Sequence, residues 1–196
     1  MAEDSLNDLT QRLIELGASD ARFIAAHSIV VEDRFAEMCA SPQCPSYGLA
    51  PGCPPHVMKP GEFRALLSQY KHAIAFKIDV PTAVLMSDGR RDVAKLIHEM
   101  SSTVARLAKE NGFPKSDGFA AGSCKMIFCH DQARCAVLDG DGECLFPDIA
   151  RPSISGLGVN FLELCKVVGW KADIITSETD PEDVPMGMLA GLVLIG

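Results

Sequence analysis

The sequence predicts an α/β fold: one domain over residues 1–196, with a mixed or mainly parallel sheet and two cysteine-rich loops. Three observations predict it. Segments with apolar residues at helical spacing take turns along the chain with segments that alternate or run apolar. The 196 residues are 47% hydrophobic, enough for a core that needs no disulfide staples. Cys39, Cys44 and Cys53, then Cys124, Cys129, Cys135 and Cys144, fall in two Gly- and Pro-rich stretches, each after a predicted strand. Open α/β sheets gather their sites beyond strand ends, so the two loops are expected to meet at one edge of the sheet.

Leu6, Leu9, Leu13 and Leu16 mark a first helix, which Gly17 ends. A β-leaning run from Ala21 to Val31 follows, with Ile24, Ile29, Val30 and Val31. Pro42, Pro45, Pro51, Pro54 and Pro55, with Gly48 and Gly52, exclude regular structure from Ser41 to Pro60. Glu62 to Tyr70 reads as a short helix. His72 to Val80 alternates around Ile74, Phe76 and Ile78 and reads as a strand.

The strongest helical pattern is Asp88 to Lys109. Val93, Leu96, Ile97, Met100, Val104 and Leu107 form one stripe, Ser87 or Asp88 is placed to cap it, and Asn111-Gly112 stops it. A short strand, Gly118 to Ala121, enters the second cysteine loop. Gly156 to Val168 reads as helix, and Ala172 to Thr176 and Leu189 to Ile195 as strands.

Formal net charge is −8, and an acidic surface repels phosphate backbones, so nucleic acid is not an expected partner. No apolar run reaches the length of a membrane span. The N-terminus, MAEDSLNDLTQRL, lacks the basic start and apolar stretch of an export signal, which predicts a cytoplasmic location. In a reducing compartment, clustered cysteines point to metal ligands or redox thiols rather than structural bridges.

Cys124, Cys129, Cys135 and Cys144 follow C-x4-C-x5-C-x8-C. Four thiolates in one loop suffice for a tetrahedral zinc or for an iron–sulfur cluster. Zinc knuckles favour two to four residues between paired cysteines, and only the first interval fits. Longer, irregular gaps suit a 4Fe-4S cubane, whose irons separate the ligands. Gly122, Gly140 and Gly142 would let backbone N–H groups approach the sulfurs. Lys125 and Arg134 either offset a cluster's charge or form plain solvated surface. His130, beside Cys129, reads as a loop histidine.

Cys39, Cys44 and Cys53 follow C-x4-C-x8-C, before Pro54-Pro55-His56. Three ligands leave one position open, which is what a catalytic metal needs. Cys165, His56, water or a substrate would complete the set. The plainer reading makes Cys165 a small core hydrophobe, His56 a turn residue and Tyr47 a ring packed over the loop. The first-loop thiols would then pack or form a redox pair.

Arg151, in Ala150-Arg151-Pro152-Ser153, either contacts an anion or partner or bonds loop carbonyls. The acidic run from Asp139 through Asp141 to Glu143 lacks most of a calcium-loop pattern and reads as a turn. His27, His72 and His98 are isolated and read as core or surface groups.

Taken together, these blocks resemble the small, cysteine-rich family of predicted metal-binding proteins, a domain of unknown function common in anaerobic bacteria and methanogens. The first block is Cys39, Cys44, Tyr47-Gly48, Cys53 and Pro54-Pro55. The second is Cys124, Cys129, Cys135, Cys144, Pro147 and Ala150-Arg151-Pro152-Ser153, then Gly156 or Gly158. The resemblance runs from about Val30 to Lys171. It implies metal binding by an iron–sulfur cluster and an oxygen-poor metabolism, and it supplies no reaction.

The expected function is therefore a metal-binding, iron–sulfur protein with an electron-transfer or redox-support role and a redox partner protein. Cys124, Cys129, Cys135 and Cys144 are the cluster ligands. Cys39, Cys44 and Cys53 form a second metal site or join the first. The alternatives are a metalloenzyme with an open ligand position at the first loop and a zinc-stabilised interaction module.

Overall fold

The alternating segments become four strands: β1 (Asp20–Ala25), β2 (His72–Pro81), β3 (Ser116–Ala120) and β4 (Met186–Ile195). The computed structural model describes residues 2–140 and 142–196. Within them the strands form one sheet in the order β1-β2-β4-β3, and every neighbouring pair is antiparallel.

The expected mixed or mainly parallel sheet is thus corrected to an antiparallel one. The reason lies in β4. A helical crossover links β2 to β3, and those two strands do point the same way, as both oppose β4. β4 arrives from the C-terminal end of the chain and enters the gap between them, so no parallel neighbours remain.

The helices are α1 (Ala2–Glu15), α2 (Asp33–Glu37), α3 (Pro60–Leu67), α4 (Thr82–Leu85), α5 (Arg90–Glu110), α6 (Cys124–Phe128), α7 (Ala136–Asp139) and α8 (Phe161–Val168). They cover both faces of the sheet. On one face, Leu6, Leu9 and Leu13 of α1 and Ile97, Met100 and Val104 of α5 pack on Ile74, Phe76, Val193 and Ile195. On the other, Phe63 and Leu67 of α3 and Leu164 of α8 pack on Ala73, Ala75, Leu192 and Leu194. Strict alternation in β2 and β4 feeds both cores at once. Each fully buried Leu, Ile or Phe contributes roughly 1.5–3 kcal/mol. Burial on both faces also explains the continuous apolar run of β4, a pattern more usual in parallel sheets.

Three expected elements change. The β-leaning run from Ala21 to Val31 is a strand only to Ala25, and α2 comes between it and Cys39. The helix expected from Gly156 starts only at Phe161, because Val159 pairs with Val31 in an isolated antiparallel bridge. Asn160 caps α8 by accepting a hydrogen bond from Glu163 N at 3.1 Å. Ala172 to Thr176 is not a strand; it is irregular, with Ile174 exposed and Ile175 laid over Gly187 of β4. The acidic turn expected around Asp139–Glu143 includes Asp141, which lies outside the described residues. Among those residues, no helix is long and apolar enough to cross a membrane.

Helix α5 sits unusually close to β3. Ser101 Oγ donates to Phe119 O at 3.0 Å and lies 3.2 Å from Leu192 O, pinning the helix to two strands. The approach needs Gly118: a Cβ there would lie 2.6 Å from Ser101 Oγ and 2.7 Å from Ser101 O. Backbone cannot yield as a side-chain tip can, so Gly118→Ala is expected to cost about 1–3 kcal/mol, read as a lower denaturant midpoint. An unchanged midpoint would contradict this contact.

Candidate metal centre

The second cysteine loop begins where β3 ends. After Gly122 the chain turns into α6, with Ser123 at its N-cap and Cys124 as its first residue. Lys125 is buried in the middle of the loop. Its ammonium donates to Cys129 O at 2.6 Å and Gln132 O at 2.7 Å. It is therefore a clamp that satisfies the carbonyls after α6, not solvated surface. Arg134 is the solvated one, largely exposed and paired with Asp139 at 3.3 Å. His130 is exposed. Helix α7 starts directly after Cys135, and Cys135 O accepts from Leu138 N and Asp139 N.

Cys124, Cys129, Cys135 and Cys144 all line one cavity of about 340 Å³. Phe128, Val137, Leu145 and Phe146 supply apolar wall, and the Phe128 and Phe146 rings stack at 5.2 Å. Among the described residues no group of three or more Cys, His, Asp or Glu is already gathered to hold a single metal ion.

The first loop reaches the same place. Its turns are closed by Cys44 N to Cys39 O at 2.9 Å, Tyr47 N to Cys44 O at 2.9 Å and Gly48 N to Pro54 O at 2.8 Å. Pro51 and Gly52 line the cavity, and Cys53 is buried behind them. The segment 150–154 joins the two loops. On one side Ala120 N donates to Pro152 O at 3.0 Å and Ile154 N to Ala120 O at 3.1 Å, a parallel bridge at the edge of β3. On the other side Ser153 N donates to Gly52 O at 2.9 Å. Gly52 permits this fit, since its Cβ would lie 3.2 Å from Pro152 Cα.

Arg151 anchors the seam to α5. Its backbone N–H donates to His98 Nδ1 at 2.9 Å, its Nε to Ser102 Oγ at 3.0 Å, and its guanidinium to Asp148 O. This matches the carbonyl-bonding role, and the side chain also lines the cavity. His98 is fully buried and edge-on to Phe128. Burial pulls its pKa down to about 4, so it is a neutral core imidazole.

The thiols feel one another. Burial pushes Cys124 up to about 12, and repulsion from Cys53, Cys144, Cys135 and Cys129 adds to it. Cys129 is raised by burial and then by Cys144 and Cys135, with Lys125 opposing. Cys39 is raised by burial and then by Cys44 and Cys53. The seven thiols thus form one chain of neighbours, with Cys53 and Cys124 at the junction. Burial and neighbouring thiols thus oppose ionisation of Cys39, Cys53, Cys124 and Cys129 side by side, and a bound metal would offset that charge.

Cys165 is in the core formed with α3 and α8, and His56 is an exposed turn residue whose N–H donates to Cys53 O. Sequence reasoning passed over Ser123. Its hydroxyl is buried without a regular hydrogen bond, although serine before a helix is a recognisable N-cap signal.

A family model described as predicted metal-binding protein (DUF2284) matches residues 22–195. No curated protein and no solved structure matches the chain.

Two outcomes are expected of the metal-free chain. With its pKa pushed up to about 12, Cys124 is almost wholly thiol near pH 8, so alkylation followed by mass spectrometry should find it reacting more slowly than in the urea-unfolded chain. Equal labelling of Cys124 in the folded and unfolded chains would contradict its burial. A thiol whose pKa rises on folding contributes stability that is complete below its unfolded value, 9.0, and lost as pH climbs towards about 12. The melting temperature should therefore fall across that window.

Proposed function

Since the chain belongs to this family of predicted metal-binding proteins, we propose that it holds an iron–sulfur cluster on Cys124, Cys129, Cys135 and Cys144 and serves a redox role in anaerobic metabolism. The observation that carries this reading is the four thiols lining one cavity of about 340 Å³. A single zinc needs its four ligands drawn to about 2.3 Å from one centre. A multi-iron cluster keeps its ligand sulfurs apart and needs a cavity between them.

The surroundings fit the group. Apolar walls from Phe128, Leu145 and Phe146 lower the local dielectric, and burial is one of the levers that sets a cluster's potential. The Lys125 clamp fixes the backbone at Cys129, so the loop presents its ligands without reorganising. When bound, the cluster would supply one-electron chemistry. Cys39, Cys44 and Cys53 supply a second thiolate set beside the first, and an electron-transfer protein is the corresponding partner.

Cys135→Ser is expected to lower iron and acid-labile sulfide per chain and the melting temperature of the loaded protein. Cys165→Ala, a core substitution away from the cavity, is expected to keep the metal and to lose about 1 kcal/mol of stability through a small void. Element analysis and thermal melts of both variants check the assignment. Unchanged metal content and melting in Cys135→Ser would defeat it.

A further inference from the structure

The residue at the junction of the two cysteine loops is Ser123, and its behaviour is unusual for its position. It is the N-cap of α6, with extended backbone dihedrals (φ −109°, ψ 124°), yet its side chain makes no cap hydrogen bond. N-cap serines ordinarily accept from the N2 or N3 amide. Here the hydroxyl is turned away from the helix and buried, at 5% exposure, without a hydrogen bond of regular geometry. Leaving a buried hydroxyl unpaired is unfavourable, so such a group in a native fold calls for a partner.

The group it is poised to donate to is the Cys53 sulfur, the most buried thiol of the first loop. A neutral thiol is a weak acceptor, whereas a thiolate held by a metal is a strong one. The chain places this donor next to Cys124, so residue 123 addresses the first loop while residue 124 lines the second cavity.

We infer that Ser123 is a positioning residue for a metal site on Cys39, Cys44 and Cys53, donating its hydroxyl hydrogen to the Cys53 thiolate. The inference rests on the reading of these thiols as metal ligands. It assigns to the first loop an oriented ligand, Cys53, and a fixed connection to the neighbouring site. It also accounts for the failed N-cap: the hydroxyl is committed to a sulfur that accepts well only when the metal is present.

The test uses the full chain, reconstituted anaerobically with iron and sulfide, in four forms: wild type, Ser123→Ala, Ser123→Thr and Cys53→Ala. Metal retention is read by competition with a coloured iron chelator, and stability by melting the metal-free proteins. Losing a hydrogen bond to a ligand typically weakens metal affinity roughly 10- to 100-fold. Ser123→Ala should show a loss of that order in one class of iron, and Ser123→Thr, which keeps the donor, should recover most of it. Metal-free Ser123→Ala should melt at the same temperature as wild type or higher, because it removes an unpaired buried group. A lower metal-free melting temperature with unchanged retention would make Ser123 merely structural and overturn the inference. If Cys53→Ala also retains all its iron, the first loop is not a metal site and the underlying reading falls. If Cys53→Ala loses iron and Ser123→Ala does not, only the role of Ser123 falls.

Discussion

The segment from Ala150 to Ile154 is the constraint on which the site depends. It bonds to Ala120 at the edge of β3 on one side and to Gly52 of the first cysteine loop on the other. Arg151, inside it, bonds to His98 and Ser102 of α5. Two loops separated by seventy residues of chain are thereby fixed against one sheet edge and one helix. Remove the seam and each loop keeps its own turns, but Cys53 and Cys124 lose the shared wall that makes them neighbours. The backbone hydrogen bonds are individually modest, near 1 kcal/mol net. Their importance is geometric.

Charge gives the seam its chemical meaning. Among the seven neighbouring thiols, burial and mutual repulsion favour the neutral form of Cys39, Cys124 and Cys129. Metal ligation takes thiolates, so a bound cation takes the place of the protons. Lys125, bonded to Cys129 O and Gln132 O, offsets charge at Cys129, and one ammonium does not balance so many thiolates. The net charge of −8 supplies no cationic surplus either. A metal centre resolves this arrangement directly, and the apolar wall of Phe128 and Phe146 then shields it from water.

Much of this was legible in the sequence because it is local. The periodicity of α1 and α5, the alternation of β2, the apolar run of β4 and the position of the second cysteine loop after β3 are all patterns within short windows, whereas α2 comes between β1 and the first loop. Sheet order is not. Leu189 to Ile195 reads as a buried strand, but nothing in it says that it slots between β2 and β3, and that insertion turned an expected parallel sheet antiparallel. Ala172 to Thr176 has β-branched residues, yet Ile175 uses its side chain to cover Gly187 rather than to join a ladder. Lys125 looked like surface because a lysine among thiols has no sequence mark of burial. Ser123 carried a mark, the N-cap, and the structure shows the cap unmade.

The central claim is that the second loop holds a cluster and not a single ion. Quantifying iron, acid-labile sulfide and zinc in wild-type protein purified without oxygen tests it most directly. The account predicts brown protein with iron and sulfide in near-equal amounts, roughly four of each per filled four-cysteine site. Colourless protein carrying stoichiometric zinc and no sulfide would contradict it.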